Sequence, residues 1–125
     1  PLCWFRPPVD RRVLLSPGTH VNPQPPPNPD APGGAWEYHA KFIPECERKP
    51  IRIWLHVSEQ DNGFDRDEAS LHNWVMANQR MAAALKAKGY IYRYVFSEAS
   101  RHTDGRVIRQ TLPSPLEWLC ADCQL

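Results

Sequence analysis

The stretch that decides the fold is "KPIRIWLHVSEQDNG", residues 49–63. It predicts one strand with Trp54 on one face and four aliphatic side chains on the other, which are Ile51, Ile53, Leu55 and Val57. Strands that are apolar on both faces are typical of parallel sheets with helices on either side. Asp61, Asn62 and Gly63 form a turn signal, so we expect the strand to end just before them.

Further strand and helix signals flank this stretch. Upstream, Val13 to Leu15 predicts a short buried strand that Ser-Pro-Gly ends, and "AWEYHAKFIPE" (residues 35–45) predicts a short helix. Downstream, "YIYRYVFSEAS" (residues 90–100) is rich in aromatic and β-branched residues and predicts another strand. The loop "SEASRHTDGRV" (residues 97–107) then leads to a short amphipathic helix over residues 112–120.

The clearest helix signal covers residues 70–90, "SLHNWVMANQRMAAALKAKGY". Its apolar side chains follow the helical period, with a stripe wide enough to face a core. Ser70 is predicted to cap the amino end, and Gly89 is predicted to end the helix in a left-handed conformation.

The order of these signals predicts an α/β fold. Strands separated by helices imply parallel pairing through right-handed crossovers, so we expect about three parallel strands with flanking helices. Three strands make a narrow sheet, and we interpret residues 1–125 as part of a larger α/β sheet. Residues 20–34, "HVNPQPPPNPDAPGG", are too rich in proline for helix or central strand and predict a surface loop.

Composition narrows the function. The chain has 125 residues, 42% of them hydrophobic, and a net charge of +1, which argues against nucleic-acid binding as its main role. No apolar run is long enough to cross a bilayer, so we expect no membrane partner. The chain opens with Pro1 rather than methionine, which suggests a fragment. The pattern does not indicate the cellular compartment.

The four cysteines predict no metal site. Cys120 and Cys123 form the only close pair, and Cys3 and Cys46 do not make the second pair that a zinc site needs. A redox Cys-x-x-Cys usually opens a helix after a strand, whereas this pair is at the end of the chain. We therefore interpret the cysteines as structural or incidental thiols, and predict no cofactor.

Two polar side chains follow the predicted second and third strands. Asp61 comes after the strand of Trp54, and His102 comes after the strand of residues 90–100. If these strands are neighbours, a carboxylate can accept the Nδ1–H of His102 and stabilise its imidazolium, which is half of a hydrolytic triad. Three other carboxylates compete for this role: Asp65, Asp67 and Asp104. Alternatively, Asp61 only forms the turn and His102 is a solvated loop histidine.

The sequence offers no clear nucleophile. No G-x-S-x-G motif is present, so no strand–turn–helix elbow is predicted. Ser16 is followed by Pro17, which removes an amide that an oxyanion hole would use. Ser58 precedes the Asp61 turn and is interpreted as a turn residue.

Six stretches together resemble the carboxyl-terminal half of the enterochelin-esterase-like (esterase D-type) α/β-hydrolases. They are "GTHVNPQ", "GGAWEYH", "KPIRIWLHVSEQDNG", "LHNWVMANQRMAAALKAKGYIYRYVF", "RHTDGRV" and "LPSPLEWL". The likeness runs from about Trp4 to Trp118, and it implies that the predicted strands are a partial α/β-hydrolase sheet. It also implies a carboxylic-ester hydrolase acting on siderophore-type esters or acyl groups on carbohydrates, with Asp61 as triad acid and His102 as base.

The chain departs from that family in several places. The nucleophile serine, its glycines and the oxyanion-hole loop precede the segment that resembles Pro1 to Phe5, so we expect an amino-terminal half to be missing. His20 stands where the family more often has an aromatic residue. The ending "CADCQL" is unlike the family and suggests truncation or a shifted reading frame. A non-catalytic fragment or binding remnant is therefore the alternative function.

Four further residues are candidates for contacts with the ester substrate: Trp36, His39, Asn73 and Trp74. Trp36 and His39 are predicted to line the substrate cleft, although aromatic packing beneath the long loop explains them as well. Asn73 and Trp74 begin the long helix, whose amino end is expected to face the site. Helix capping and core packing account for these two equally well.

Overall fold

The structure, a computed structural model, describes residues 11–22, Pro29 and 32–121. Its centre is a parallel sheet of three strands in the order β1-β2-β3. The strands are β1 (Arg12–Leu15), β2 (Arg52–Gln60) and β3 (Ile91–Arg101). β2 pairs with β1 through Arg12↔Arg52 and with β3 through Arg52↔Ile91, which confirms the predicted α/β sheet of three parallel strands.

Helices connect the strands and cover both faces of the sheet. Between β1 and β2 lie a 3₁₀ turn (Gly34–Trp36), a π-helical stretch (Tyr38–Phe42) and the short α1 (Ile43–Glu45). Between β2 and β3 lie a 3₁₀ turn (Glu68–Ser70) and α2 (Trp74–Ala87). After β3 come α3 (Gly105–Thr111) and α4 (Pro113–Cys120).

The two faces of β2 are buried by different elements. On one face, Ile53 and Leu55 pack with Met81 and Leu85 of α2 in the main hydrophobic cluster. On the other face, Trp54 lies against Trp118 of α4, with ring centroids 5.9 Å apart. Coverage on both sides was predicted from the apolar pattern, and the structure confirms it.

The amino end of α2 differs from the prediction. Ser70 does not cap the helix; it ends the preceding 3₁₀ turn, and Leu71 follows with a left-handed φ of 52°. The cap is Asn73, whose side-chain oxygen accepts a hydrogen bond from the Met76 N–H at 2.9 Å. At the other end Gly89 has a φ of 74°, as predicted.

The loop after β3 is much shorter than predicted. β3 continues to Arg101 and α3 begins at Gly105, so only residues 102–104 connect them. The α3 helix was not predicted, because its seven residues give too little helical periodicity to detect. Asp104 caps it by accepting a hydrogen bond from the Arg106 N–H at 2.9 Å.

Some predictions fall outside the described residues. These are Cys3, Cys123 and most of the proline-rich segment, of which the structure describes residues 20–22, 29 and 32–34. Within that segment His20 and Val21 are buried. In the described ranges, no helix combines the length and apolar character that a bilayer crossing requires.

Candidate functional site

Asp61 and His102 meet at the carboxyl edge of the sheet. Because β2 and β3 are hydrogen-bonded neighbours, the residues that follow them lie side by side. The Asp61 Oδ1 and His102 Nδ1 atoms are 2.6 Å apart. The structure therefore places this acid–imidazole pair together, as the strand order had led us to expect.

An irregularity in β3 sets the position of His102. Ser58 pairs with Ser97, but the next pair is Gln60 with Arg101, so three residues of β3 lie opposite one residue of β2. Within this bulge Ala99 has a left-handed φ of 49°, and its N–H donates to Glu59 Oε2 at 2.8 Å. Bulges bend a strand and re-aim the side chains that follow.

Of the candidate carboxylates, Asp61 is the one that is buried and hydrogen-bonded to His102. It is 1% exposed, and it accepts hydrogen bonds from the Asn62 N–H at 2.8 Å and the Ser58 N–H at 3.3 Å. With His102, three donors hold its two oxygens. Among its competitors, Asp67 caps the 3₁₀ turn through the Ser70 N–H, and Asp104 caps α3.

The carboxylate fixes the tautomer of His102. If Nδ1–H donates to Asp61, the neutral ring keeps a lone pair on Nε2, which can take a proton from another group. The Trp74 ring and the imidazole pack edge to face, with centroids 5.1 Å apart, and 31% of the His102 side chain is exposed. In the part of the chain that is described, no hydroxyl or thiol lies within hydrogen-bond distance of Nε2.

The four predicted substrate-contacting residues divide into two groups. Trp74 touches His102, so it belongs to the site. Asn73 caps α2 and donates its amide to the Phe64 and Arg66 carbonyl oxygens, at 3.1 and 2.7 Å.

Trp36 and His39 form the second group. They pack edge to face, 5.4 Å between centroids, and Trp36 belongs to a buried cluster with Val21 and Ala77. Burial lowers the pKa of His39. For these two, no contact with Asp61 or His102 is found among the described residues.

A second imidazole, which the sequence analysis did not single out, is held between two hydroxyls. His56 is 5% exposed; its Nδ1 is 2.8 Å from Ser16 Oγ, and its Nε2 is 2.7 Å from Ser97 Oγ. Burial lowers its pKa, and the negative charge of Asp61 partly opposes that shift. The available signal was the alternation along β2, which puts His56 on the same face as Trp54.

A third buried imidazole lies beside an apolar cavity of about 400 Å³ between the sheet and the helical segment after β1. His20 lines this cavity together with aliphatic side chains that include Leu15 and Leu55. It is 9% exposed, and among the described residues neither ring nitrogen has a hydrogen-bond partner. Burial, aided by the nearby His39, lowers the pKa of His20 to about 4.

The chain was compared with known protein families, curated proteins and solved structures. No protein family, no curated protein and no solved structure matches the chain. Within the described ranges, no three His, Cys, Asp or Glu side chains converge on a point where they could hold a metal ion. The geometry of the Asp61–His102 pair therefore carries the functional argument.

Proposed function

We propose that this chain supplies the base and the acid of a Ser-His-Asp triad that hydrolyses carboxylic esters. The observation that carries the proposal is the 2.6 Å bond from His102 Nδ1 to a carboxylate that is 1% exposed. The buried Asp61, which accepts three hydrogen bonds, orients the ring and stabilises the imidazolium that forms during acyl transfer. The resemblance to the enterochelin-esterase-like α/β-hydrolases supports the same roles for these two residues.

The two side chains have separate tasks. His102 Nε2 takes the proton of a serine hydroxyl as the serine oxygen attacks the ester carbonyl, and it then returns a proton to the departing alcohol. Water next cleaves the acyl intermediate with the same base. Asp61 holds the ring in the required tautomer. This chemistry consumes only the ester and water, so the proposal includes no cofactor and no nucleic acid.

The proposal places the attacking serine in a polypeptide segment outside these 125 residues. The family resemblance assigns the nucleophile to an amino-terminal half, and no hydroxyl of the described residues lies at hydrogen-bond distance from His102 Nε2. Small esters, such as siderophore-type esters or acyl groups on carbohydrates, are the proposed substrate class. A G-x-S-x-G motif in the coding sequence just upstream would support this arrangement.

The alternative proposal is that the chain is a non-catalytic remnant or a binding piece. What favours it is that no hydroxyl of the described residues lies within hydrogen-bond distance of His102 Nε2. Loss of a triad nucleophile leaves only a small residual catalysis. One assay distinguishes the two proposals for the chain as given. Steady-state hydrolysis of a short-chain aryl ester is measured for the 125-residue protein and for its His102→Ala variant.

Two results are informative in that assay. Multiple turnovers that His102→Ala abolishes would exclude the remnant and would require a nucleophile within the chain. Equal background rates in both proteins support a chain that needs its partner half or is inactive. Adding the upstream segment decides between these, because a triad supplier gains turnover that depends on His102, whereas a remnant gains none.

A further inference from the structure

Ser16, His56 and Ser97 form a chain of side chains across all three strands. Leu15 of β1 pairs with Leu55 of β2, so Ser16 comes level with His56. Ser97 of β3 pairs with Ser58 and reaches back to His56. The bonds of 2.8 Å and 2.7 Å give both nitrogens of a buried imidazole a hydroxyl partner.

We propose that Ser16 is a nucleophile activated by His56, and that it accepts acyl groups from small activated esters. This inference concerns a site other than the Asp61–His102 pair and does not depend on the proposed function. It requires the tautomer in which His56 Nε2–H donates to Ser97 Oγ. Nδ1 then carries the lone pair and accepts the Ser16 hydroxyl proton, which is the arrangement of an activated nucleophile and its base.

The surroundings of Ser16 allow a small acyl group to enter. Ser16 is exposed at the end of β1, whereas His56 is buried. Both line a cavity of about 110 Å³ whose walls include Trp54, Ile108 and Pro115. An exposed hydroxyl with a buried base, beside a small apolar cavity, is a reasonable site for an acetyl-sized group.

The electrostatics keep His56 ready as a base. Burial lowers its pKa, so the ring is neutral near pH 7 and its Nδ1 lone pair is available. A neutral imidazole in hydrogen-bond contact contributes about 10²- to 10⁴-fold to such proton transfers. Near neutral pH, His56 is therefore in the form that can accept the Ser16 proton.

The step balances without any further reagent. The Ser16 oxygen forms a bond with the carbonyl carbon, the bond from that carbon to the leaving oxygen breaks, and the hydroxyl proton moves to His56 Nδ1. His56 then gives that proton to the leaving alkoxide or phenolate, which departs as the alcohol or phenol. Because Pro17 has no N–H to donate to the developing oxyanion, we expect one slow acylation per chain and no rapid turnover.

The direct test uses a fluorophosphonate, which forms a phosphorus–oxygen bond with an activated serine and releases fluoride. Intact mass and peptide mapping should find one label per chain, on Ser16, and none on Ser70, whose hydroxyl donates to the Asp67 carbonyl oxygen. Ser16→Ala should remove the label, and His56→Gln should slow it at least about 10²-fold. Absence of label on Ser16, or an equal rate in His56→Gln, would overturn the proposal.

Ser97 is a positioning residue in this proposal. Ser97→Ala removes the acceptor of Nε2–H and should slow labelling, whereas Ser97→Thr keeps a hydroxyl and should restore the rate. A purely structural role would change the free energy of unfolding without this difference in rate. Equal labelling rates in wild type, Ser97→Ala and Ser97→Thr would show that Ser97 does not position His56.

A second variant keeps the test decisive if His56→Gln fails to fold. In Ser16→Cys, the neutral His56 ring should accept the thiol proton through Nδ1 and so speed alkylation by iodoacetamide, in which a carbon–sulfur bond forms and iodide leaves. The exposed Cys120 is the internal control. At pH 6.5 we expect the introduced thiol to react at least about tenfold faster than Cys120, whereas an equal or slower reaction contradicts the proposal.

Discussion

Two regions of the molecule treat a histidine in opposite ways. At the carboxyl edge of the sheet, His102 has a carboxylate 2.6 Å away that is itself held by two backbone amides. In the apolar cavity near β1, neither nitrogen of His20 has a hydrogen-bond partner in the part of the chain that the structure describes. An imidazole with a buried counter-charge can become an imidazolium, whereas one without it stays neutral. The two regions differ in whether a buried carboxylate lies beside the imidazole.

The largest effect is expected where that counter-charge is removed. Asp61→Ala deletes the acceptor of three hydrogen bonds, which come from the buried Ser58 N–H, from the N–H of the exposed Asn62 and from His102 Nδ1. We expect the free energy of unfolding to fall by about 4 kcal/mol, measured by urea denaturation. Asp65→Ala, at an exposed position of the same turn, is the matched control and should change it by less than about 0.5 kcal/mol. Similar losses in the two variants would show that Asp61 is only a turn residue.

The second effect is the pH dependence caused by His20. Its pKa is about 4 in the native state and about 6.5 when unfolded, so between these values the unfolded chain binds a proton that the native chain does not. Stability should therefore be constant above pH 6.5 with respect to this group and fall by about 3 kcal/mol as the pH drops to 4. Urea denaturation at several pH values measures this fall.

His20→Phe isolates that contribution. The pKa values of His39 and His56 are also lowered, so all three histidines destabilise the acidic form in the same direction. The difference between wild type and His20→Phe should grow from pH 6.5 to pH 4 and favour the variant. A constant difference would mean that His20 finds a hydrogen-bond partner in solution.

The sequence predicted the strand end at Asp61 and the strand preceding His102 well, because apolar alternation and turn residues are local signals. The bulge of three residues around Ala99 could not be predicted, since no residue in "SEAS" (residues 97–100) indicates that this alanine has a left-handed φ. That bulge sets which residue at the end of β3 comes next to Asp61, and this residue is His102. Local patterns thus place the elements, and the final alignment of a site depends on tertiary geometry.

The same reasoning explains the two helix errors. Both Ser70 and Asn73 are good capping residues, and the preference alone does not choose between them. Asn73 caps α2 because its amide also bonds the Phe64 and Arg66 carbonyl oxygens in the preceding turn. The short α3 was missed since seven residues give too little periodicity to detect.

The third effect tests the support behind Trp74, which packs on His102. Asn73→Ala removes the cap of α2 and two hydrogen bonds to the turn, so we expect a loss of about 2 kcal/mol in the free energy of unfolding. Ser70→Ala, at the residue predicted from the sequence to cap the helix, should cost less than about 1 kcal/mol. The reverse order of these two losses, measured by urea denaturation, would contradict the observed capping arrangement.

The smallest effect concerns the bulge that aims His102. A left-handed φ costs alanine about 1–2 kcal/mol, and Ala99→Gly removes that strain while adding about 0.5–1 kcal/mol of backbone entropy to the unfolded chain. The balance of these two effects predicts that the free energy of unfolding of Ala99→Gly rises by about 0.5 kcal/mol, measured by thermal or urea denaturation. Ala83→Gly, at an exposed position within α2, should instead lose about 1 kcal/mol, since its backbone is helical. Equal losses at both positions would mean that Ala99 is not held left-handed, and the bulge would then not be what brings His102 to Asp61.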